Sequence, residues 1–205
     1  MLELYDYLDS GNGYKIRLLL AHLALPYRHV ELDIMRGQTR TAEFLAINPN
    51  GRIPVLGLGG GQYVTESDAI LWYLAEGTSY LPEERYARAQ VLQWMFFEQY
   101  SHEPYVATPR FIVRHLAPDD ARRAELPKRL ANGREALGVM ETHLRGRDYF
   151  VGQSYSIADI ALYAYTHVAE DGGLKLAPFT RVRAWLARIA LQPRHVKLFE
   201  RPPPV

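Results

Sequence analysis

The sequence predicts a chain in two parts, an α/β unit followed by an all-α unit. Three observations predict it. Up to about residue 76, short apolar runs alternate with patterns of helical period. Residues 77–86 carry Gly77, Pro82 and acidic side chains, the composition of a linker. Beyond them no convincing strand pattern remains, and long helical periodicities fill residues 87–205.

The elements follow in order. Leu2, Leu4 and Asp6 alternate with Tyr5 and Tyr7, the period of a strand. Ile16, Leu19, Leu20 and Leu23 share one face of a helix over Tyr14 to Leu25, which Pro26 stops. Tyr27 to Leu32 is a second strand, and Thr41 to Ile47 a short helix with a threonine start. Ile53 to Leu58 and Gln62 to Thr65 form a hairpin across Gly59-Gly60-Gly61. Ser67 to Leu74 opens a further helix. The order is βαβ, a helix, then ββα, which is the thioredoxin-like arrangement. In the second part, Tyr86 to about His115 is a long helix that Pro104 and Pro109 should kink or break. Helices follow over Pro127 to His143, Ser156 to Val168 and Arg181 to Ala190. Arg201-Pro-Pro-Pro-Val205 cannot continue a helix and is expected to fray.

Composition sets limits on the chemistry. Of the 205 residues, 48% are hydrophobic and 23% charged, with a net charge of +1, so nothing global points to nucleic acid or an anionic membrane. There is no cysteine, so any thiol chemistry must use a thiol that a ligand brings. The histidines show no metal-ligand spacing, and no metal is expected. The first residues lack the basic and apolar regions of a secretion signal, and no apolar run is long enough to span a bilayer. A cytoplasmic location is expected.

Two short motifs invite a functional reading. In Asn48-Pro49-Asn50-Gly51-Arg52-Ile53-Pro54, the proline stands where a strand begins. It either starts the strand, or, with a cis bond, turns the Ile53 backbone towards a peptide-like ligand that adds as a strand. In Glu66-Ser67-Asp68-Ala69-Ile70, Ser67 stands at a helix N-terminus. Ser67 or Asp68 is either a plain cap or part of an anion site, with free N–H groups and the dipole favouring a carboxylate. Glu66 can accept from an ammonium. A γ-glutamyl group presents that amine and carboxylate on one carbon.

Together, at this separation, the two motifs resemble the cytosolic glutathione transferase family, bacterial and serine-type or of the related asparagine-containing group. The resemblance covers nearly the whole chain and includes Ser156-Ile157-Ala158-Asp159-Ile160. That stretch has a serine N-cap with an acid three residues on, and Tyr155 set to staple against Ile160. Its role is folding. The resemblance implies a thioredoxin-like first domain over residues 1–76 and an all-helical second domain. It further implies that Pro54 is cis and that Ile53 pairs with the cysteinyl backbone of glutathione. Glu66 and Ser67 then hold the γ-glutamyl end. Arg52, and more weakly Gln38, lie near the glycyl carboxylate. Glutathione is the implied co-substrate, and a homodimer the implied assembly.

The thiol needs a donor. A free thiol has a pKa of about 8.5. Lowering it by about two units requires ~2.7 kcal/mol. One hydrogen bond to the thiolate supplies ~1.5–3 kcal/mol, and a helix N-terminus roughly 0.3–1 kcal/mol. Asp9-Ser10-Gly11-Asn12-Gly13 occupies the start of the first helix, with Ser10 and Asn12 as donors. Tyr5 and Tyr7 are rivals, because tyrosine-type members of the family place their tyrosine late in the first strand. Counted back from Ile16-Arg17, Ser10 falls at the serine-type position. A hydroxyl residue, one residue, then Asn-Gly also resembles a bacterial group that tends towards disulfide-bond reduction with two glutathiones.

The second substrate is expected between the two parts. His102, Tyr105, Arg110, Phe111 and Tyr165 are its candidate contacts, and His102 is a possible general base. Three functions compete: conjugation of glutathione to small hydrophobic electrophiles, glutathione-dependent reduction of disulfides or peroxides, and a non-catalytic binding module on the same fold.

Overall fold

The computed structural model describes residues 1–201. The tail expected to fray lies, beyond Arg201, outside the described residues. The chain divides into two compact units, residues 1–76 joined by those from Pro193 onward, and Gly77–Gln192.

The first unit is built on a four-stranded sheet in the order β2-β1-β3-β4. Its strands are β1 (Leu2–Asp6), β2 (Tyr27–Glu31), β3 (Val55–Gly59) and β4 (Gln62–Thr65). β1 and β2 are parallel, while β3 runs antiparallel to both β1 and β4. The helices are α1 (Gly11–Leu23), α2 (Ala42–Ile47) and α3 (Ser67–Ala75). This is the thioredoxin-like arrangement.

Local chemistry sets the boundaries. α1 begins at Gly11, three residues before the predicted start at Tyr14, because Ser10 is extended and its Oγ accepts from the Gly13 N–H. α2 starts as expected, with Thr41 Oγ1 accepting from the Phe44 N–H. The hairpin turn uses three consecutive glycines at positive φ, 89°, 60° and 78°, a run that side chains would strain.

The residues from Pro193 onward correct one expectation, since they belong with the first unit and not with the helical one. The reason is a set of α1 side chains that need acceptors. Arg17 donates from Nη1 to the Leu198 carbonyl, the Tyr14 hydroxyl to the Val196 carbonyl, and His22 Nδ1 contacts the Pro193 carbonyl. Leu198 is buried there.

The second unit contains α4 (Arg85–Phe97), α5 (Glu103–His115), α6 (Leu126–His143), α7 (Ile157–Thr166) and α8 (Thr180–Ala190). Glu84 caps α4 by accepting from the Tyr86 and Ala87 N–H groups. The predicted break near Pro104 is a π-helical turn over Glu98–His102, with Pro104 in the first turn of α5. Pro109, by contrast, lies inside α5. The Tyr105 carbonyl four residues before it is approached so closely by Gly133 that a Cβ there would stand 2.6 Å away.

Every residue of α7 is buried. Its start is the capping box seen in the sequence, with reciprocal Ser156 and Asp159 bonds. Asp159 does more than cap. Oδ2 accepts from the Ser156 N–H and hydroxyl, while Oδ1 accepts from the Phe150 N–H and the Trp185 indole N–H. Burial pushes its carboxyl up to about 6 against the pull of those donors. Tyr155 and Ile160, the expected staple pair, are both buried.

Asp159→Ala should destabilise the protein by about 3 kcal/mol or more, because buried donors from three segments lose their acceptor together. Denaturant unfolding monitored by tryptophan fluorescence measures this. A loss within ~0.5 kcal/mol would show that the network carries no weight.

Candidate functional site

Three segments meet at one end of the sheet. Tyr5 pairs with Val55 and Val55 with Thr65. The end of β1, the approach to β3 through Ile53–Pro54, and the exit of β4 into Glu66–Ser67 therefore lie side by side.

The first segment is the turn from β1 into α1. The Ser10 N–H donates to the Tyr7 carbonyl over 2.8 Å, and the Tyr14 N–H to the Ser10 carbonyl over 2.9 Å. Beneath the turn sits Asp6, fully buried. Its Oδ2 accepts from Arg17 Nε over 2.9 Å and lies 3.3 Å from His29 Nε2, while Oδ1 accepts from the Tyr7 N–H. Arg17 also donates from Nη2 to the Leu8 carbonyl. Position 13 must be glycine, because a Cβ there would fall 1.5 Å from Asp6 Oδ1. Ser10 and Asn12 are both partly exposed on this turn.

The tyrosine rivals part company with the site unequally. The Tyr5 hydroxyl donates to Glu3, and its ring lies near Phe44 and Tyr63. Burial and the Glu3 carboxylate raise its phenol above the ordinary value. Tyr5 therefore points its chemistry away from the turn. Tyr7 contributes its backbone to the turn that presents Ser10.

The second segment is the loop before β3. The Ile53–Pro54 bond is cis. Asn48 braces the loop, donating from Nδ2 to the Arg52 carbonyl and accepting at Oδ1 from the Asn50 N–H. Gly51 has φ of 61° and lies tight against Arg40. Ile53 stands just outside the β3 ladder, which begins at Val55. Arg52 is exposed. Gln38 is exposed too, and its Oε1 accepts from the Asp33 N–H over 2.6 Å.

The third segment is the entry to α3. Glu66 is exposed and adopts φ 67°, ψ 121°, a backbone conformation that side chains rarely take and that clusters at functional sites. Ser67 follows, buried, as the first residue of α3. Its hydroxyl faces Asn12 Oδ1 at 3.4 Å, so the third segment touches the first.

Lys15 was not foreseen in the sequence. It is fully buried on α1 and donates to Ser67 Oγ and to Asp68 Oδ1, each over 3.1 Å. Burial raises the Asp68 carboxyl, with Lys15 pulling the other way and Glu66 adding to the rise. The available signal was the pair Lys15 and Arg17, two cations within a helix covered on more than one side. The apolar periodicity of Ile16, Leu19 and Leu20 obscured them.

The second unit's candidates divide. Tyr105 and Phe111 are partly exposed. His102 is fully buried and lies 2.9 Å from Thr166 Oγ1. Arg110 is buried and ion-paired to Asp171 over 3.2 Å, and Tyr165 is also buried. Among the described residues, no group of three or more His, Asp or Glu side chains is placed to hold a metal ion. No described helix is long and apolar enough to cross a membrane.

A thioredoxin-like unit with a cis proline before β3, a strained acid before α3 and a hydroxyl at the start of α1, followed by a helical unit, defines a glutathione-transferase type of protein. Family models agree. Residues 1–76 match the glutathione S-transferase N-terminal domain, and residues 93–193 match the C-terminal domain. The chain belongs to the glutathione S-transferase family. It is 32% identical over 200 residues to the disulfide-bond oxidoreductase YfcG of Escherichia coli K12, covering 94% of this chain and 92% of that one. A glutathione S-transferase from Pseudomonas fluorescens Pf-5 shares 51% identity at a TM-score of 0.95, over 97% of this chain and 99% of that one. A glutathione transferase from Burkholderia graminis, solved with two glutathione molecules bound per subunit, shares 30% identity at a TM-score of 0.83, over 94% and 85%.

Gly13→Ala should cost several kcal/mol, of the order of ~3 or more, since the new methyl must drive Asp6 off Arg17 and leave a buried charge uncompensated. Thermal unfolding measures this. A variant that melts with the wild type would show that Asp6 does not need its place under the turn.

Proposed function

We propose that the protein binds glutathione on its first unit and ionises the bound thiol at the N-terminus of α1. The observation that carries this reading is the contact of Asn12 with Ser67, which joins the turn of the thiol donors to the anchor for the γ-glutamyl end. Ser67 and the free N–H groups of α3 receive the γ-glutamyl carboxylate, and Glu66 the ammonium. Ile53 offers its backbone to the cysteinyl residue, next to the cis Pro54. Arg52 and Gln38 serve the glycyl carboxylate. Ser10 Oγ already accepts from the Gly13 N–H, and its own proton is available for a thiolate.

The thiolate has two outlets. In conjugation it attacks a carbon of a small hydrophobic electrophile, a C–S bond forms, and the leaving group departs as an anion. Tyr105 and Phe111 are the proposed contacts for that electrophile. In disulfide reduction it attacks one sulfur of a disulfide, the S–S bond breaks and a thiolate leaves. A second glutathione thiolate then attacks the mixed disulfide, giving glutathione disulfide and the second reduced thiol. With no cysteine in the chain, both electrons come from glutathione. We favour this second outlet. Asn12 beside Ser10 supports it, as does the similarity to a disulfide-bond oxidoreductase and to a transferase that holds two glutathiones. The burial of His102 also deprives the conjugation reading of its candidate base.

A homodimer in the cytoplasm completes the proposal. Leu92, Phe96 and Tyr100, spaced four apart and exposed, form an apolar stripe suited to a second copy.

The test is kinetic and spectroscopic. Wild type should reduce a small disulfide with glutathione and show a bound thiol that ionises below ~8.5. Ser10→Ala should raise that pKa by about one to two units, the worth of one hydrogen bond to an anion. An unshifted pKa in Ser10→Ala would remove Ser10 from the mechanism. Turnover of a chloronitrobenzene with no turnover of disulfides would select conjugation instead.

A further inference from the structure

The segment from Pro193 to Arg201 packs back on the first unit with little apolar surface to hold it. Leu198 is its one buried side chain among the described residues, and the others are partly or wholly exposed. Such a segment belongs to the low-stability end of a structure. Polar contacts hold it instead. Arg17 Nη1 donates to the Leu198 carbonyl, and the Tyr14 hydroxyl to the Val196 carbonyl over 2.7 Å. Arg201 pairs with Glu31 at the end of β2. Arg194 takes φ of 58°, a left-handed conformation that strains a residue with a side chain and relaxes if the segment leaves.

Two imidazoles stand in the seam between this segment and α1. His22 Nδ1 lies 2.9 Å from the Pro193 carbonyl, and a carbonyl only accepts, so Nδ1 carries a proton. His195 Nε2 lies 3.3 Å from the Tyr14 hydroxyl, whose own proton goes to Val196, so its oxygen accepts from Nε2. Both bonds survive a second proton on the ring. The charge is what the seam does not accommodate. Arg17 stands 5.6 Å over the Tyr14 ring, Arg194 Nη1 lies 3.4 Å from the His22 carbonyl, and Lys197 disfavours a charged His195. Of the acids, Glu200 favours a charged His195, while Asp6 is engaged by Arg17 and His29. Tyr27, near Arg17 on β2, is pushed up to about 12 by burial and stays neutral. Burial lowers both imidazoles. The Pro193 carbonyl opposes this for His22 and Glu200 for His195, and charge on His195 lowers His22 further. A ring lowered in the closed segment takes protons more readily once the segment opens. The closed form is therefore favoured in full above ~6.5, the ordinary histidine value, and loses ground as the pH falls below it.

Arg17 connects the seam to the turn. The guanidinium that holds the Leu198 carbonyl also holds the Leu8 carbonyl before Ser10 and Asp6 beneath it. Opening the segment strips a buried guanidinium of one acceptor and admits water to the others. We propose that the segment from Pro193 to Arg201 is a latch on the turn that presents Ser10, closed at neutral pH and opened by protonation of His22 and His195. The turn loosens when the latch opens. Glutathione binding weakens with it, a consequence that rests on the glutathione reading above.

The experiment measures amide hydrogen exchange of the full chain at about pH 7.5 and about pH 5.5, on either side of the ordinary histidine value and corrected for the intrinsic effect of pH. Wild type is compared with His22→Asn combined with His195→Gln. Asparagine sets an amide donor near the place of Nδ1 and glutamine one near that of Nε2, so the variant keeps the contacts and loses the titration. In wild type, peptides covering residues 193–201 and 7–13 should both lose protection severalfold at the lower pH, while β3 keeps its own. The variant should hold both segments at both pH values. Glutathione affinity by calorimetry should fall more on acidification in wild type than in the variant, a comparison in which the ionisation of glutathione itself cancels. Equal protection of residues 193–201 in wild type at both pH values overturns the latch. So does a variant that opens on acidification as wild type does, or one that is open at both pH values, which would show a merely structural role for the rings. Opening of residues 193–201 with residues 7–13 unmoved overturns the coupling to the turn. If the double variant does not fold, His195→Gln alone, at the more exposed position, decides in the same way. Absence of glutathione binding at either pH removes the proposed function and leaves the exchange result standing.

Discussion

The first unit depends on the ion pair between Asp6 and Arg17. Both groups are buried, and removing two charges from water is expensive unless the remaining donors and acceptors are met. Here they are met by backbone. Arg17 reaches the Leu8 carbonyl in the turn and the Leu198 carbonyl in the returning C-terminal segment. Asp6 takes the Tyr7 N–H, and His29 brings β2 to the same carboxylate. One pair thus ties the end of β1, the start of α1, the neighbouring strand and the last described segment of the chain. The absence of a Cβ at Gly13 makes room for it.

That anchor holds the turn on which the proposed thiol donors stand. Loops are mobile unless something holds them, and a thiolate donor has value only if it is already in place. Ser10 is held as the cap of α1, and the Tyr7 to Ser10 turn is closed by its own hydrogen bond. A second buried cation, Lys15, faces α3 from the same helix and holds Ser67. α1 therefore works in two directions. Arg17 secures the turn from below, and Lys15 secures the neighbouring helix start. The second unit is organised by a different device, Asp159 gathering donors from the start of α7, from Phe150 and from α8.

Much of this was legible in the sequence because it rests on local rules. Apolar period marked α1, α6 and α8, and the Gly59–Gly61 run marked the hairpin. Serine followed three residues later by aspartate marked the start of α7. Ile53–Pro54 and Glu66–Ser67 were visible as motifs, and the pairing of Val55 with Thr65 is what brings them together. What escaped was non-local. Lys15 and Arg17 look like ordinary solvated charges on an amphipathic helix, and their partners lie 53 and 11 residues away. The return of residues from Pro193 onward depends on acceptors for side chains more than 170 positions earlier, which no window reveals. The burial of His102 is likewise non-local. The π-helical turn sets it inward against Thr166.

The proposed glutathione site rests on a few side chains at one sheet end. If those side chains receive glutathione in one orientation, a crystal structure of the glutathione complex will show it. The γ-glutamyl carboxylate should lie on Ser67, the cysteinyl backbone on Ile53, and the sulfur within hydrogen-bond distance of Ser10 or Asn12. Glutathione bound with its glycyl end on Ser67, or bound away from the start of α1, would contradict it.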